Sequence, residues 1–407
     1  MAVNKEINRK AIPFLIPDLP SVKDITPYLE LIDKNRWYSN FGPLQHEFEN
    51  ELRCQFFKDF AVENECLVTC SSGTTAIELA LLSLRLPKNA KILLPSFTFA
   101  ATATAVIRAG YQPVFTEVDT NSWLLTPDIA RNVLNYLTVD AVIPVAGLGM
   151  PQDVHQWDQF YEATGIPVVI DAAAALGEQQ IGRHALVCFS MHATKGFGIG
   201  EGGMVLLPDL KMAKLARELS NFGFNAGIIA QAGSNYKLSE YHAAVGLAQI
   251  KRMSVLKKRR HAVRMHYRRW LGRLLPFFDV QSINRKPSNS GDKVVGFQPF
   301  GFRSAVAIKF KAEFEESLDD IAATLMRNGV GVRRWYHPVL HVHDAFCGYS
   351  TINPEGTSKL NFTESLNRSL LGLPFHNFLT REEVDYCCEL IEHSLTSGKG
   401  VGQAGNQ

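Results

Sequence analysis

One lysine lies in a glycine-rich segment of a kind that surface lysines rarely occupy. Lys195 stands in SMHATKGFGIGEGG, residues 190–203. The glycines suggest a dinucleotide-binding loop, but such a loop opens a helix, whereas these glycines lead into GMVLL, which predicts a strand. We therefore reject the dinucleotide interpretation. An isolated lysine is usually a solvated charge, but a lysine whose surroundings favour the neutral amine can form Schiff bases.

Two further features precede this lysine along the chain. Ser71-Ser72-Gly73-Thr74-Thr75 joins a predicted strand to a predicted helix, where free N–H groups suit a phosphate, although turns of small residues are common. Asp171 ends the apolar run PVVID. Its position alone favours a helix N-cap, and the alternatives are a salt-bridge partner or the counter-charge of a cofactor cation.

Taken together, the three features match the requirements of pyridoxal 5′-phosphate (PLP). Its phosphate needs hydrogen-bond donors, its pyridine nitrogen needs an acidic partner, and its aldehyde needs an amine. The order of turn, carboxylate and lysine therefore leads to the hypothesis that Lys195 carries PLP as a Schiff base.

Alternating strands and helices must position these residues. Apolar runs separated by helical patterns predict a mostly parallel sheet covered on both faces, with ligands at the carboxyl ends of its strands. Residues 238–275 predict one or two long helices with a basic face, either solvated, which the interleaved apolar residues favour, or anion-binding. The strand candidates are 66–70, 91–95, 113–118, 140–145, 167–171, 185–190 and 203–207.

Length and pattern divide the chain into four parts. The 407 residues, 46% of them hydrophobic, suffice for two domains. We expect an N-terminal arm (1–40), a large cofactor-binding domain (41–255), a small C-terminal domain (256–395) and a disordered Gly-rich tail (396–407).

Composition excludes several classes of protein. Lys plus Arg is 42 and Asp plus Glu is 40, so the net charge of +2 argues against a dedicated nucleic-acid binder. No apolar run has membrane-spanning length, and the first 20 residues lack the apolar core of a signal peptide. The seven cysteines are scattered without a CxxC pair, which indicates neither a disulfide framework nor a zinc site. These features predict a cytoplasmic protein without a metal site.

Beyond these features, the sequence resembles the DegT/DnrJ/EryC1/StrS family of sugar aminotransferases, which have the aspartate aminotransferase fold (PLP-dependent fold type I). The resemblance implies an α/β enzyme with a mostly parallel sheet in its large domain and a smaller C-terminal α/β domain. It runs in order through WYSNFGPLQHEFENEL, SSGTTAIELAL, LPSFTFAATA, YQPVFTEVD, PVVIDAAAALG, FSMHATKGFGIGEGGMV and NYKLSEYHAAVGLAQI, and more weakly through YHPVLH and LPFHNFLTREEV.

The resemblance also implies roles for seven residues and a homodimer with composite active sites. Lys195 matches the Schiff-base lysine, and Asp171 matches the partner of the pyridinium nitrogen. The other matches are Gly73 and Thr74 in the phosphate-binding turn, Ser190 as a further phosphate ligand, Phe99 as the aromatic ring stacked on the cofactor, and Asn235 as a ligand of the phosphate in the neighbouring subunit.

Several positions bear on the substrate. Five residues could approach it, although residues of these types are more often surface or packing residues: His192, Arg333, Arg334, His337 and His341. The arginines would suit a diphosphate. The sequence departs from the family at Ala174, where Gln or His is usual, at Ala146, which replaces a histidine, and at Lys237, which replaces an arginine.

The activity implied by the resemblance is transfer of an amino group from L-glutamate to a keto-sugar. The segment HATK resembles the branch acting on nucleotide-linked 4-keto-6-deoxy sugars, and Lys195 stands where the family's dehydratases have histidine. Alternatives are amination at C3, a keto-sugar without a nucleotide, and a PLP-binding regulatory protein without turnover, which the alanines at 146 and 174 keep open.

Overall fold

The computed structural model describes residues 11–60, 63–281 and 305–397. The helices of this part of the chain are α1 (Val22–Asn35), α2 (Pro43–Phe56), α3 (Gly73–Ser83), α4 (Ala100–Arg108), α5 (Pro127–Leu134), α6 (Val154–Thr164), α7 (Leu210–Ser220), α8 (Glu240–Lys251), α9 (Met253–Leu274), α10 (Leu318–Arg327), α11 (Asn361–Ser369) and α12 (Arg381–Ser397). The strands are β1 (Leu67–Cys70), β2 (Lys91–Pro95), β3 (Gln112–Thr116), β4 (Ala141–Val142), β5 (Val169–Asp171), β6 (Leu186–Ser190), β7 (Gly203–Leu206), β8 (Phe224–Asn225), β9 (Ile228–Ile229), β10 (Phe278–Asp279), β11 (Val306–Phe310) and β12 (Leu370–Leu373).

A seven-stranded sheet forms the centre of the large domain. Ladders give the orders β1-β7-β6-β5 and β3-β2-β4, and parallel bridges from Val142 to Val168 and from Val145 to Asp171 join them. The combined order is therefore β1-β7-β6-β5-β4-β2-β3. The strand β7 is antiparallel to both neighbours, whereas β5–β6, β2–β3 and β2–β4 are parallel. The predicted mostly parallel α/β sheet is confirmed.

All seven strand candidates form strands, most of them shorter than expected. β6 is buried at every position, as expected for a strand with helices on both faces. The candidate at 140–145 keeps only Ala141–Val142 as a strand, because Pro144 has no N–H to donate to a ladder. The predicted helical region at 238–275 is two helices, which meet at Arg252. Its basic face is not simply solvated, because Arg260 and Arg264 are buried.

A second hydrophobic core lies in the C-terminal part of the chain. There the antiparallel sheet β10-β11-β12 packs with α9, α10 and α12. Part of the chain between α10 and α11 instead extends the large sheet, because Phe115 on β3 donates to the carbonyl of Ser350 and accepts from the N–H of Ile352, each at 2.9 Å. The domain boundaries drawn from the sequence remain a prediction.

The two chain ends were predicted to be an arm and a tail. The predicted arm (1–40) contains α1, and its other described residues form one β-bridge, at Ile12, but no further helix. The predicted disordered tail begins at 396, but α12 continues to Ser397, and residues 398–407 lie outside the described part. None of the described helices combines the length and apolarity needed to cross a membrane.

Candidate active site

Two glycines allow the ends of β1 and β6 and the start of β7 to lie close together. In the register of the sheet, Gly203 lies between Ser190 on β6 and Cys70 on β1. A Cβ atom on Gly203 would lie 2.1 Å from the carbonyl oxygen of Ser72, and one on Gly73 would lie 2.7 Å from Cβ of Ser190. Because no side chain larger than hydrogen fits at either position, the turn after β1 packs directly against Ser190.

The turn after β1 presents hydrogen-bond donors. Ser72 caps α3: its hydroxyl accepts from the N–H of Thr75 at 3.1 Å. Gly73 and Thr74 occupy the first two helical positions, whose N–H groups have no carbonyl partner within their own helix and lie at the positive end of its dipole. The Ser190 hydroxyl accepts from the N–H of His192 at 3.3 Å and keeps its own proton for donation. These groups can hold a phosphate.

The carboxylate of Asp171 is buried and is oriented by two hydrogen-bond donors. Its side chain accepts from the Thr102 hydroxyl at 2.7 Å and from the N–H of Ala173 at 3.1 Å. Burial raises the pKa of this carboxyl, while the two hydrogen bonds and the charge of Lys195 act in the opposite direction. The helix N-cap interpretation is wrong, because turns and not a helix follow β5. Of the two remaining interpretations, a salt-bridge partner and a counter-charge for a bound cation, the second fits this geometry, because the hydrogen-bond partners of the carboxylate are a hydroxyl and a backbone N–H.

Lys195 lies in a tightly folded loop, residues 191–200, which we call the lysine loop. The N–H of Lys195 donates to the carbonyl of His192 at 2.8 Å, and the N–H of Ala193 donates to that of Gly200 at 2.7 Å. A Cβ atom at Gly198 would lie 2.6 Å from the Ala193 carbonyl oxygen. Burial lowers the pKa of the Lys195 amine, against an opposing influence of Asp171. Burial therefore shifts the equilibrium of this amine towards its neutral, nucleophilic form.

This lowered pKa makes a prediction about the apoprotein. The rate of Schiff-base formation with PLP should rise with pH, and the midpoint of this rising limb should lie below pH 10.5, the ordinary pKa of a lysine amine. The reason is that the buried amine loses its proton at a lower pH than a free amine does. The measurement is a stopped-flow pH series in which Nα-acetyl-lysine serves as the control amine. A limb that coincides with that of the control amine would contradict the predicted effect of burial.

Phe99 lies at the same helix end as a residue that contacts Asp171. It is the N-cap of α4 and is 64% exposed, which is unusual for a phenylalanine. Thr102, the partner of Asp171, lies in the first turn of the same helix, so one helix end positions both residues. A flat ring stacked on Phe99 would remove this apolar face from water. Sequence reasoning missed Thr102, for which the only signal is its place three residues after Phe99.

The residues present fit PLP. The turn at Gly73 and Thr74, together with Ser190, supplies phosphate donors, Phe99 supplies a stacking face, and Asp171 supplies a buried negative charge. The alanine at position 146 leaves the backbone contact with Asp171 in place. The N–H of Ala146 donates to the carbonyl oxygen of Asp171 at 2.8 Å, and a backbone bond of this kind is available to any residue except proline.

Asn235 lies on the surface and not among the residues around Lys195. The next residue, Tyr236, accepts from the N–H of Ser71 at 2.8 Å, so the segment runs beside the phosphate turn. The segment 221–235 also carries the β8–β9 hairpin, which exposes Phe224, Ile228 and Ile229 in its strands, and Phe222 just before it is exposed as well. Lys237, the other departure here, donates to Asn221 at 2.8 Å, and its amine lies 4.8 Å from the Phe222 ring centroid.

Three histidines proposed for the substrate have protein partners. His192, on the lysine loop, has Nδ1 2.7 Å from the Thr194 hydroxyl. Nδ1 of His337 lies 2.8 Å from Asn367. His341 bridges two elements, since Nδ1 lies 2.7 Å from the Ser96 hydroxyl at the end of β2 and Nε2 lies 3.3 Å from Glu364 on α11. Of the three, only His192 shares a loop with Lys195.

The two arginines proposed for a diphosphate differ in their surroundings. Arg334 forms an ion pair with Asp319 and donates to the carbonyl of Arg368 at 2.7 Å. Arg333 is exposed, and its guanidinium stacks over Phe14 and Trp335 at 5.1 and 5.0 Å from the ring centroids. The structure therefore brings neither guanidinium into contact with the residues around Lys195. A role for either in substrate binding stays a prediction.

Comparison with known proteins agrees with this geometry. The model of the DegT/DnrJ/EryC1/StrS aminotransferase family matches residues 21–392. A dTDP-4-amino-4,6-dideoxy-D-glucose transaminase of Shigella dysenteriae is 28% identical over 386 residues, covering 92% of this chain and 96% of the relative. The crystal structure of DesI with its TDP-sugar product has a TM-score of 0.81 at 26% identity, covering 96% of this chain and 94% of that one. A Bacillus cereus protein described as a PLP-dependent aminotransferase also has a TM-score of 0.81, at 25% identity, covering 94% and 100%. The predicted aminotransferase fold is confirmed.

Proposed function

The chain belongs to the DegT/DnrJ/EryC1/StrS aminotransferase family, and we propose that it transfers an amino group from L-glutamate to a nucleotide-linked 4-keto-6-deoxy sugar. As a member of this family it is a PLP-dependent transaminase. The sugar and the donor are the proposed part. The observation that supports amino transfer is the buried Asp171 carboxylate and the buried Lys195 amine, in a site whose turn at Gly73 and Thr74 can hold a phosphate.

Two of the similar proteins support the sugar assignment. The Shigella dysenteriae relative is a transaminase of a dTDP-linked 4-amino-4,6-dideoxy sugar, and the DesI structure contains a TDP-sugar product. Both match more than nine-tenths of this chain. We take the 4-keto position and the nucleotide from this likeness, because the described residues do not themselves distinguish one keto-sugar from another.

Each residue has a definite task in the proposed reaction. When bound, PLP supplies an electron sink for a carbanion next to nitrogen. Asp171 would supply the negative charge for the ring nitrogen, and Thr102 and the N–H of Ala173 hold that carboxylate in place. Gly73, Thr74 and Ser190 would hold the phosphate. Lys195 would take the α-proton of the donor as a base and would then donate it, as an acid, to the carbon that entered as the aldehyde.

The substrate assignment is tested with protein that has first been converted to its pyridoxamine form. We expect a dTDP-linked 4-keto-6-deoxyhexose to restore the absorption of the lysine-bound cofactor and to yield an amino sugar detectable by mass spectrometry. The 3-keto isomer and a keto-sugar without a nucleotide are the matched alternatives. Faster restoration by either alternative would replace the 4-keto assignment, and no restoration by any keto-sugar would refute a sugar substrate.

We further propose that two copies of the chain complete each other's sites. Asn235 is exposed beside the turn after β1, next to four exposed apolar side chains in and just before the β8–β9 hairpin, and an exposed apolar surface of this kind indicates an interface. In this arrangement the amide of Asn235 reaches the phosphate bound to the other subunit, as the family resemblance implies.

Mixing two inactive variants tests the shared site. Dimers that combine a Lys195→Ala chain with an Asn235→Ala chain contain one site with both residues intact. After subunit exchange we expect up to about a quarter of the unmodified activity, since half of the dimers are hybrid and half of their sites are complete. If Asn235 served its own chain's cofactor, mixing would restore no activity beyond the sum of the two variants.

A further inference from the structure

The first described part of the predicted N-terminal arm, residues 11–20, is hydrogen-bonded to the C-terminal part of the chain. Ile12 pairs with the segment after α10: its N–H donates to the carbonyl of Gly329, and its own carbonyl accepts from the N–H of Gly331, both at 2.8 Å. The carbonyl of Phe14 accepts from the N–H of Phe375 at 3.1 Å. The first part of the arm therefore moves with these elements of the second core.

Asp18, further along the arm, is a buried charge with several partners. Its carboxylate accepts from Arg252 at 2.5 Å and from the amide of Asn377 at 2.8 Å, and Arg259 lies 3.5 Å away. Burial alone would raise the pKa of this carboxyl, but the hydrogen bonds from Asn377 and Arg252 and the charges of the two arginines lower it. Asp18 is therefore ionised at neutral pH, and it joins the α8–α9 junction to the segment after β12.

Gln249 connects the arm to the lysine loop. This residue of α8 is fully buried, and its amide nitrogen donates both to the backbone carbonyl of Asp18 at 2.7 Å and to that of Gly198 at 3.1 Å. Its amide oxygen accepts from Arg252 at 2.8 Å, so the side chain has partners for both ends. Gly198 is three residues after Lys195 and packs on the carbonyl of Ala193.

We propose that the arm, through Asp18 and Gln249, holds the lysine loop in position relative to the C-terminal domain, so that both are positioning residues for Lys195. The inference rests on the proposed role of Lys195. Its physical basis is a continuous series of hydrogen bonds between buried groups, in which a displacement at Asn377 or Ile12 is transmitted to Gly198 through a single side chain. Loss of the Asp18 charge leaves Arg252 without its carboxylate partner, and removing one partner of a buried pair is costly.

Amide hydrogen exchange of the apoprotein tests the connection without the cofactor. The amides of Ala193, Lys195 and Ile199 are hydrogen-bonded within the lysine loop. In Asp18→Asn we expect peptides from residues 191–200 to exchange faster by about tenfold or more. Asp24→Asn is the matched control, since Asp24 is an exposed carboxylate six residues away whose hydrogen-bond partner is Ser21.

A second variant separates the lysine loop from the arm. Gln249→Met removes the bonds that its amide donates to Asp18 and Gly198 and the one that it accepts from Arg252, but it keeps both charged groups of the Asp18–Arg252 ion pair. The lysine loop should therefore lose protection while the amides of Ile12 and Gly331 keep theirs. If Asp18→Asn does not fold, Asn377→Ala, which removes one bond to the same carboxylate, takes its place. Faster exchange confined to the arm, with an unchanged lysine loop in either variant, would overturn the inference.

Release of PLP provides the functional readout. We expect Asp18→Asn to transfer its PLP to an excess of another apoenzyme several-fold faster than the unmodified protein and the Asp24→Asn control. Unchanged release with a more exposed lysine loop would overturn the positioning role. Failure of the proposed role of Lys195 looks different, because the unmodified protein would then lack lysine-linked PLP while the exchange experiment still reports on the connection.

Discussion

Replacement of Lys195 by alanine should lower turnover by about 10³-fold or more, since the variant loses both the covalent attachment of the cofactor and the group that moves the α-proton. The phosphate turn, Phe99 and Asp171 are unaltered in this variant, so PLP should still bind without a covalent bond. The measurements are steady-state turnover and mass spectrometry after borohydride reduction, which should label the unmodified protein at Lys195 only.

Two control variants define what the loss means. Lys195→Arg keeps a positive charge near Asp171 but cannot form a Schiff base, so it should be as inactive as Lys195→Ala. Lys211→Ala removes an exposed lysine from α7 and should behave like the unmodified protein. Undiminished turnover in Lys195→Ala, or borohydride labelling of another lysine, would show that Lys195 is not the reacting amine.

Replacement of Asp171 by asparagine should lower turnover by about 10²- to 10³-fold, the usual effect of removing one preorganised electrostatic group. Asparagine has nearly the same shape: its oxygen can still accept from the N–H of Ala173, and its NH2 group can donate to the Thr102 hydroxyl, so the fold should persist. Removing the negative charge also removes the influence that raises the pKa of Lys195, so the amine should be neutral down to a lower pH than in the unmodified protein.

The stopped-flow pH series described above measures that second effect directly. In Asp171→Asn the limb for Schiff-base formation should move to lower pH, and Asp128→Asn, which alters an exposed carboxylate paired with Arg131, should leave it in place. A limb that stays fixed in Asp171→Asn, together with normal turnover, would contradict the assigned position of this carboxylate beside the amine and the ring nitrogen.

Local patterns in the sequence predicted the sheet and the three chemical features at its edge. Apolar runs such as LVCFS indicate buried strands wherever they lie, and strands of a parallel sheet end at one edge, so Asp171 and Ser190 had to be near each other. The lysine and the phosphate turn were recognisable because glycine and small residues are concentrated around them.

Contacts that depend on tertiary packing could not be predicted in this way. The bond from Thr102 to Asp171 spans 69 residues, and the bond from Gln249 to Asp18 spans 231. Nothing in the local composition of either segment identifies its partner. The N-cap interpretation of Asp171 failed for a related reason: a local rule favours capping, but the nearest donor of the carboxylate besides Ala173 is a side chain on α4.

The most direct test of the central claim is the absorption spectrum of the protein loaded with PLP, recorded before and after addition of L-glutamate. The assigned roles of Lys195 and Asp171 predict the band of a lysine-linked cofactor, which glutamate should replace with that of the pyridoxamine form. A band that persists unchanged with glutamate would contradict the assigned donor, and a PLP-binding regulatory protein would show no change with any amino acid. If no such band forms after reconstitution with PLP, the assignment of Lys195 is wrong.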